Sequence, residues 1–227
     1  MYIFGKNVAN EYLKEKKKIK KIFLAKNFKE DLPFGNIPIT YLEKYEMDQM
    51  VNGLHQGIIL EVEDYKYASL DDFIDEENSL VVILDHLEDP HNFGAIVRTC
   101  EAAGVNGIII PKDRSVEVNP TVIKVSTGAT ENMNIARVTN IVQTIKELKE
   151  NGFWIIGTDM QGTDYDKIDY RGKIAIIIGN EGSGMSRLVK ENCDFIATIP
   201  MIGKTESLNA SVSTGIIVYE AIKSRIQ

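Results

Sequence analysis

From residue 80 onward, short apolar runs alternate with stretches in which apolar side chains recur every three or four positions. The runs at 80–84, 108–110, 153–157, 174–178 and 195–199 predict strands, and 91–103, 140–150 and 186–192 predict helices. Such alternation predicts an α/β fold with a parallel sheet covered on both faces. Near the end, Leu208, Val212, Ile216, Tyr219, Ile222 and Ile226 follow spacings of 4, 4, 3, 3 and 4, the pattern of an amphipathic helix. The first part reads as a smaller α/β unit, with a helix over 7–15 and strands at 22–25, 37–40 and 57–62. Between them the pattern lapses. Residues 64–79 hold Asp64, Asp71, Asp72, Asp75, Glu76 and Glu77 with few large aliphatics, so they are expected to link a domain at 1–63 to one at 80–227.

The composition, 44% hydrophobic and 26% charged, is that of a folded globular chain rather than a disordered or fibrous one. Apolar runs such as Ile174–Ile178 fall far short of the roughly 18 residues that span a bilayer. The opening MYIFGKNVAN has no apolar signal core, so a cytoplasmic protein is expected. Cys100 and Cys193 are too few for a disulfide framework or a four-cysteine zinc site, and read as small buried residues. His55, His86 and His91 lack clustered metal ligands and read as hydrogen-bonding residues, so no metal is expected.

Charge changes the picture through its distribution. The net charge of -7 argues weakly against nucleic acid, yet residues 1–30 carry nine lysines against three carboxylates. Lys14, Lys16, Lys17, Lys18, Lys20 and Lys21 form either a solvated helix end or a phosphate-contacting surface.

In an open α/β sheet, ligands gather at the carboxyl ends of the strands. Three loops there are chemically loaded. The first, DHLEDPHNFGAIVRT, sets Asn92, Gly94 and Arg98 as N-x-G-x-x-x-R entering a helix, where Asn92 is either a helix cap or a functional amide. In the second, GNEGSGMS, Gly179, Gly182 and Gly184 admit close backbone approach around Glu181. Their spacing is not the dinucleotide fingerprint G-x-G-x-x-G. The third, PMIGKTESLNAS, places Ser207 and Asn209 at a helix start. Its Gly203-Lys204-Thr205 copies the tail of a P-loop, but Thr198 stands where that motif needs glycine, which excludes a nucleotide triphosphatase of that type.

Together these motifs resemble the SpoU (TrmH) family of RNA ribose 2'-O-methyltransferases, in the family's order and over residues 80–227. HQGI at 55–58 and the opening YIFGKNVA resemble the branch with an N-terminal ribosomal-protein-like RNA-binding domain, although 29–37 is short for it. Within that branch the chain is most similar to enzymes that methylate a guanosine of 23S ribosomal RNA. The resemblance implies a C-terminal trefoil-knotted methyltransferase domain, S-adenosylmethionine as cofactor and a homodimer. It places cofactor contacts on Gly179, Asn180, Ile199, Met201, Ser207 and Leu208. It places the catalytic group on Asn92, Arg98, Glu181, Ser207 and Asn209.

The reaction implied must hold oxygen and methyl in line and make a weakly acidic hydroxyl nucleophilic. Arg98 is then either the proton acceptor or, since guanidinium groups stay protonated, a cation that orients RNA and stabilises the developing alkoxide. Glu181 and Asn209 are expected to fix Arg98 and the loop. Lys112 and Arg114 would complete an electropositive mouth for one unpaired nucleotide. Two other readings remain open: methylation of transfer RNA, and an RNA-binding protein that keeps the fold without turnover.

Overall fold

The computed structural model describes residues 1–14, 19–74 and 77–226. It divides into two compact units, Met1–Lys66 and Tyr67–Gln227.

The first unit runs β1 (Tyr2–Phe4), α1 (Lys6–Lys14), β2 (Ile19–Ala25), β3 (Ile39–Leu42), α2 (Lys44–Met50) and β4 (Ile58–Val62). Its sheet has the order β1-β4-β2-β3, with β2 parallel to β3 and the other pairs antiparallel. Phe23, Ala25 and Ile59 pack with Met47 and Val51 of the α2 segment. Their neighbours Ile22, Leu24 and Leu60 are also buried, and strand alternation turns them to the opposite face. Three expected strands are present. The edge strand β1 and helix α2 were not anticipated, because three residues carry no period and KYEMDQM is mostly polar. Of the lysine run, Lys14 ends α1 and Lys20 and Lys21 lie on β2, while Lys16 to Lys18 fall outside the described residues.

The second unit runs α3 (Asp71–Ile74), β5 (Leu80–Leu84), α4 (Pro90–Ala102), β6 (Gly107–Pro111), α5 (Pro120–Val125), β7 (Ile135–Val138), α6 (Ile141–Glu150), β8 (Trp154–Asp164), β9 (Ile174–Ile178), α7 (Arg187–Glu191), β10 (Phe195–Thr198) and α8 (Ala210–Ile226). All six strands are parallel, in the order β10-β8-β9-β5-β6-β7. Strands β5, β6 and β9 are buried along their whole length, which is why they read as unbroken apolar runs. The chain leaves β5 toward β6 and β7 and returns by β8 to β9, so the order reverses between β5 and β9. Ligands favour the crevice at such a switch point.

Three expectations need correction. The segment 64–79 is not simply a linker: the unit boundary falls at Lys66/Tyr67, and Phe73 and Ile74 sit buried in the core beside Val81, Ile109 and Ala175. Its acidic residues hide two anchors. Gly107 makes room for one of them, because a Cβ there would stand 2.4 Å from the Phe73 ring. Second, β8 runs to Asp164, since β10 skips from Gly157 to Thr163 in its register and pairs with both ends of the longer strand. Third, the last helix does not turn the expected stripe to its own core. The buried residues of α8 are Ala210, Thr214, Ile217, Val218 and Ala221, whereas Val212, Tyr219 and Ile226 are exposed. The end of α8 is fastened by Arg225, whose guanidinium donates to the carbonyls of Asn78, Ser79, Tyr170 and Gly172. Burial lowers its pKa.

Candidate active site

The three loaded loops follow β5, β9 and β10 at the carboxyl edge of the sheet. The first opens α4. Its cap is Asp89, whose carboxylate accepts from the backbone N–H of His91 at 2.6 Å and of Asn92 at 3.2 Å, with Pro90 in the first turn. Asn92 is therefore not the cap, and its side chain is free for another use. Gly94 answers to packing: a Cβ there would lie 2.7 Å from Val125 and 3.0 Å from the Val122 carbonyl, so it lets α5 approach α4.

The amide of Asn92 joins the other two loops. Its Nδ2 donates to Glu181 Oε1 at 3.2 Å, and its Oδ1 accepts from Asn209 Nδ2 at 2.9 Å. The direction of this chain is set at one end by backbone. Asn209 Oδ1 accepts from the N–H of Ser211 at 2.9 Å, as a helix cap does, so its Nδ2 must face Asn92. Asn92 must then present its oxygen to Asn209 and its Nδ2 to Glu181, whose carboxylate can only accept. Residues 89 and 117 positions apart in sequence thus form one directed network.

Arg98 is outside it. Its side chain is exposed and makes no hydrogen bond or ion pair among the described residues. It lies six residues beyond Asn92, about 9 Å along α4. The expectation that Glu181 and Asn209 fix Arg98 is corrected: the bonds they make are to Asn92, in the first turn of α4. Ser207 is likewise exposed and unpaired among the described residues.

The second loop is folded back on itself. Asn180 and Gly184 exchange two backbone hydrogen bonds of 3.0 Å, and Gly179 fits because a Cβ would stand 2.4 Å from the Gly184 carbonyl carbon. The Asn180 side chain accepts from the N–H of Gly182 and Ser183 and donates to the carbonyl of His86 at 2.7 Å. Asn180 therefore shapes the loop whatever else it touches. Ile199 and Leu208 are half-buried and Met201 is exposed, and the neighbouring Ser207 hydroxyl has no partner among the described residues. That mixture suits a ligand with a flat apolar ring and a polar tail.

One residue beside this site escaped the sequence reading. Asp85 directly follows β5, is 1% exposed, and accepts from His86 Nδ1 at 2.6 Å and from the N–H of Ser186 at 2.7 Å. It ties the end of β5 to the end of the second loop. A carboxylate placed directly after an apolar strand was the available signal, but its partner lies 101 residues away. Two of the three histidines have hydrogen-bonded rings as expected, His55 to Asp48 and to the N–H of Gly57, and His86 to Asp85, whereas His91 bonds Asp89 through its backbone N–H. Among the described residues no cluster of metal-ligating side chains occurs, and no helix is long and apolar enough to cross a membrane.

Two family profiles cover most of the sequence: SpoU rRNA Methylase family over residues 79–219 and RNA 2'-O ribose methyltransferase substrate binding over 2–68. The chain belongs to the SpoU rRNA methylase family. YacO of Bacillus subtilis, described as a TrmH family tRNA/rRNA methyltransferase, is 45% identical over 99% of this chain and 96% of its own. Among solved structures, the SpoU methyltransferase AviRb from Streptomyces viridochromogenes, in complex with AdoMet, shares the fold across all of this chain and 91% of its own. Its TM-score is 0.76 at 23% identity. The TrmH/SpoU tRNA modifying enzyme of A. aeolicus is 35% identical over 67% of this chain and 78% of its own, with a TM-score of 0.61. The SpoU profile spans all three loops, so the network of Asn92, Glu181 and Asn209 is built from segments that the family match covers.

Proposed function

We propose that the protein transfers a methyl group from S-adenosylmethionine to a ribose 2'-oxygen of ribosomal RNA, at a guanosine of the 23S molecule. The observation that carries this reading is the directed network from Glu181 through Asn92 to Asn209, which assembles three family loops at the carboxyl edge of the sheet. Cofactor contacts are assigned to Gly179, Asn180, Ile199, Met201, Ser207 and Leu208. When bound, S-adenosylmethionine supplies an electrophilic methyl on a sulfonium. Half-buried Ile199 and Leu208 suit its adenine, and the folded second loop offers backbone groups to it.

This chain's own work is to place and activate the hydroxyl. Asn92, Glu181 and Asn209 hold the three loops at fixed separation, so that bound nucleotide and cofactor face each other. Arg98 is assigned to the RNA: its unpaired guanidinium orients a phosphate and stabilises negative charge growing on the 2'-oxygen, while the proton leaves to water. Ser207 is assigned to the same mouth.

Ribosomal rather than transfer RNA is favoured by the first unit, which matches a substrate-binding profile over residues 2–68 and carries exposed Lys20, half-buried Lys21 and exposed Tyr41 and Tyr45. A second copy of this chain is proposed to cover α8. Val212 and Tyr219 are exposed, Ile216 between them is half-buried, and exposed Ile226 continues the stripe, in keeping with the apolar character of homodimer interfaces. Work on ribosomal RNA agrees with a cytoplasmic site of action. Mapping 2'-O-methyl groups in ribosomal RNA from cells with and without the gene tests the assignment. One 23S guanosine should lose its methyl group; an unchanged 23S map with a lost transfer-RNA methyl group would overturn the choice of substrate.

A further inference from the structure

Beside the network lies a cleft of 510 Å³ that none of the assigned catalytic residues lines. It opens at the ends of β5 and β9, where the strand order reverses, and its walls include Asp85, His86, Glu88, Arg114, Asn180 and Arg187. The second loop divides the two regions: Glu181 reaches Asn92 on one side, and Asn180, Ser183 and Gly184 line the cleft on the other.

The walls are built rather than loose. Asp85 spends one oxygen on Ser186 N–H and the other on His86 Nδ1, so its buried charge is already satisfied and does not confront a ligand. The carboxylate can only accept, so His86 carries its proton on Nδ1 and keeps Nε2 free. Both His86 and Arg114 hold left-handed backbone conformations, at φ 59° and 50°. Two such non-glycine residues meet in one cleft, a costly arrangement that recurs at ligand sites. The Arg114 guanidinium has no partner among the described residues. That of Arg187 has only Glu191 at 3.2 Å, in an ion pair whose side chains are 82% and 53% exposed, and such a pair yields readily to a better anion.

We infer that this cleft binds a phosphate of the RNA strand flanking the reacting nucleotide, with Arg114 and Arg187 as its cationic walls. The inference rests on the proposed function for the identity of the strand. A phosphate matches two arginines better than a cofactor carboxylate does, because the assigned cofactor residues other than Gly179 and Asn180 lie on the third loop, away from these walls. Glu88 is the one exposed carboxylate on the lining, and it opposes the anion.

The test is filter binding of a 23S ribosomal RNA transcript at several salt concentrations, with calorimetric titration of S-adenosylmethionine alongside. For Arg114→Gln and Arg187→Gln, the slope of log affinity against log salt should flatten by about 0.7 to 0.9 per arginine, with cofactor affinity unchanged. Glu88→Gln should tighten RNA binding, a gain that a folding defect does not mimic. An unaltered slope in the double arginine variant overturns the inference. So does a loss confined to the cofactor, which would give the cleft to the small molecule. A wild-type protein that binds the RNA but methylates none would contradict the proposed function, while the slope would still decide the cleft.

Discussion

Asn92 accepts a 2.9 Å hydrogen bond from Asn209 across 117 residues of sequence, and the same amide donates onward to Glu181. The first turn of α4, the second loop and the start of α8 are thereby locked to one another by a single side chain. Removing it should disconnect all three. Asn92→Ala is expected to slow single-turnover methyl transfer by about 10- to 100-fold, the equivalent of roughly 1–3 kcal/mol for a network bond. Asn209→Ala in the Asn92→Ala background should add little, giving a coupling energy of about 0.5–3 kcal/mol in a double-mutant cycle. Fully additive losses would show that the two residues act separately.

Arg98 stands apart from that network, and its assigned task needs a fork-shaped cation rather than a base. Arg98→Lys keeps the charge and loses the two-pronged geometry. Its single-turnover rate should fall by about tenfold or more, with a pH profile parallel to wild type. A nearly wild-type rate removes any special role for the guanidinium, and a rate limb that moves with the lysine would favour a proton-accepting role.

Phe73 tests the boundary of the second unit. It is 1% exposed against Gly107 and the sheet core, so Phe73→Ala should cost about 3–5 kcal/mol in denaturant unfolding. Gly107→Ala, which drives a methyl into the same ring, should cost about 1–3 kcal/mol. If 64–79 were a solvated linker, both changes would fall within about 0.5 kcal/mol.

The outward stripe of α8 predicts an oligomer. Val212→Glu with Tyr219→Glu should shift the mass measured by light scattering from two chains to one, because it sets carboxylates in the apolar contact. Equal masses for wild type and variant would leave α8 without the proposed occupant.

These residues also show what the sequence disclosed and what it withheld. The buried strands were legible because continuous burial writes continuous apolar runs, as in IAIII of β9. The three loops were legible because each motif is contiguous and sits directly after such a run. The partner of Asn92 was not, since a bond between residues 117 apart leaves no local periodicity. Asp89 rather than Asn92 caps α4, a choice between two neighbouring cap formers that composition does not decide. The α8 stripe gave the right helix but not the side that meets its own core: apolar spacing reports that a surface will be covered, and α8 packs through Ala210, Thr214, Ile217, Val218 and Ala221 while Val212, Tyr219 and Ile226 are exposed. Short β7 and α5 passed unnoticed, IARV and PTVIKV being too brief to establish a period.

The most direct test of the central claim is incubation of the purified protein with tritiated S-adenosylmethionine and unmodified ribosomal RNA. The account predicts label on one ribose 2'-oxygen of 23S RNA, strongly reduced in Asn92→Ala. Cofactor binding without label on any RNA would contradict it.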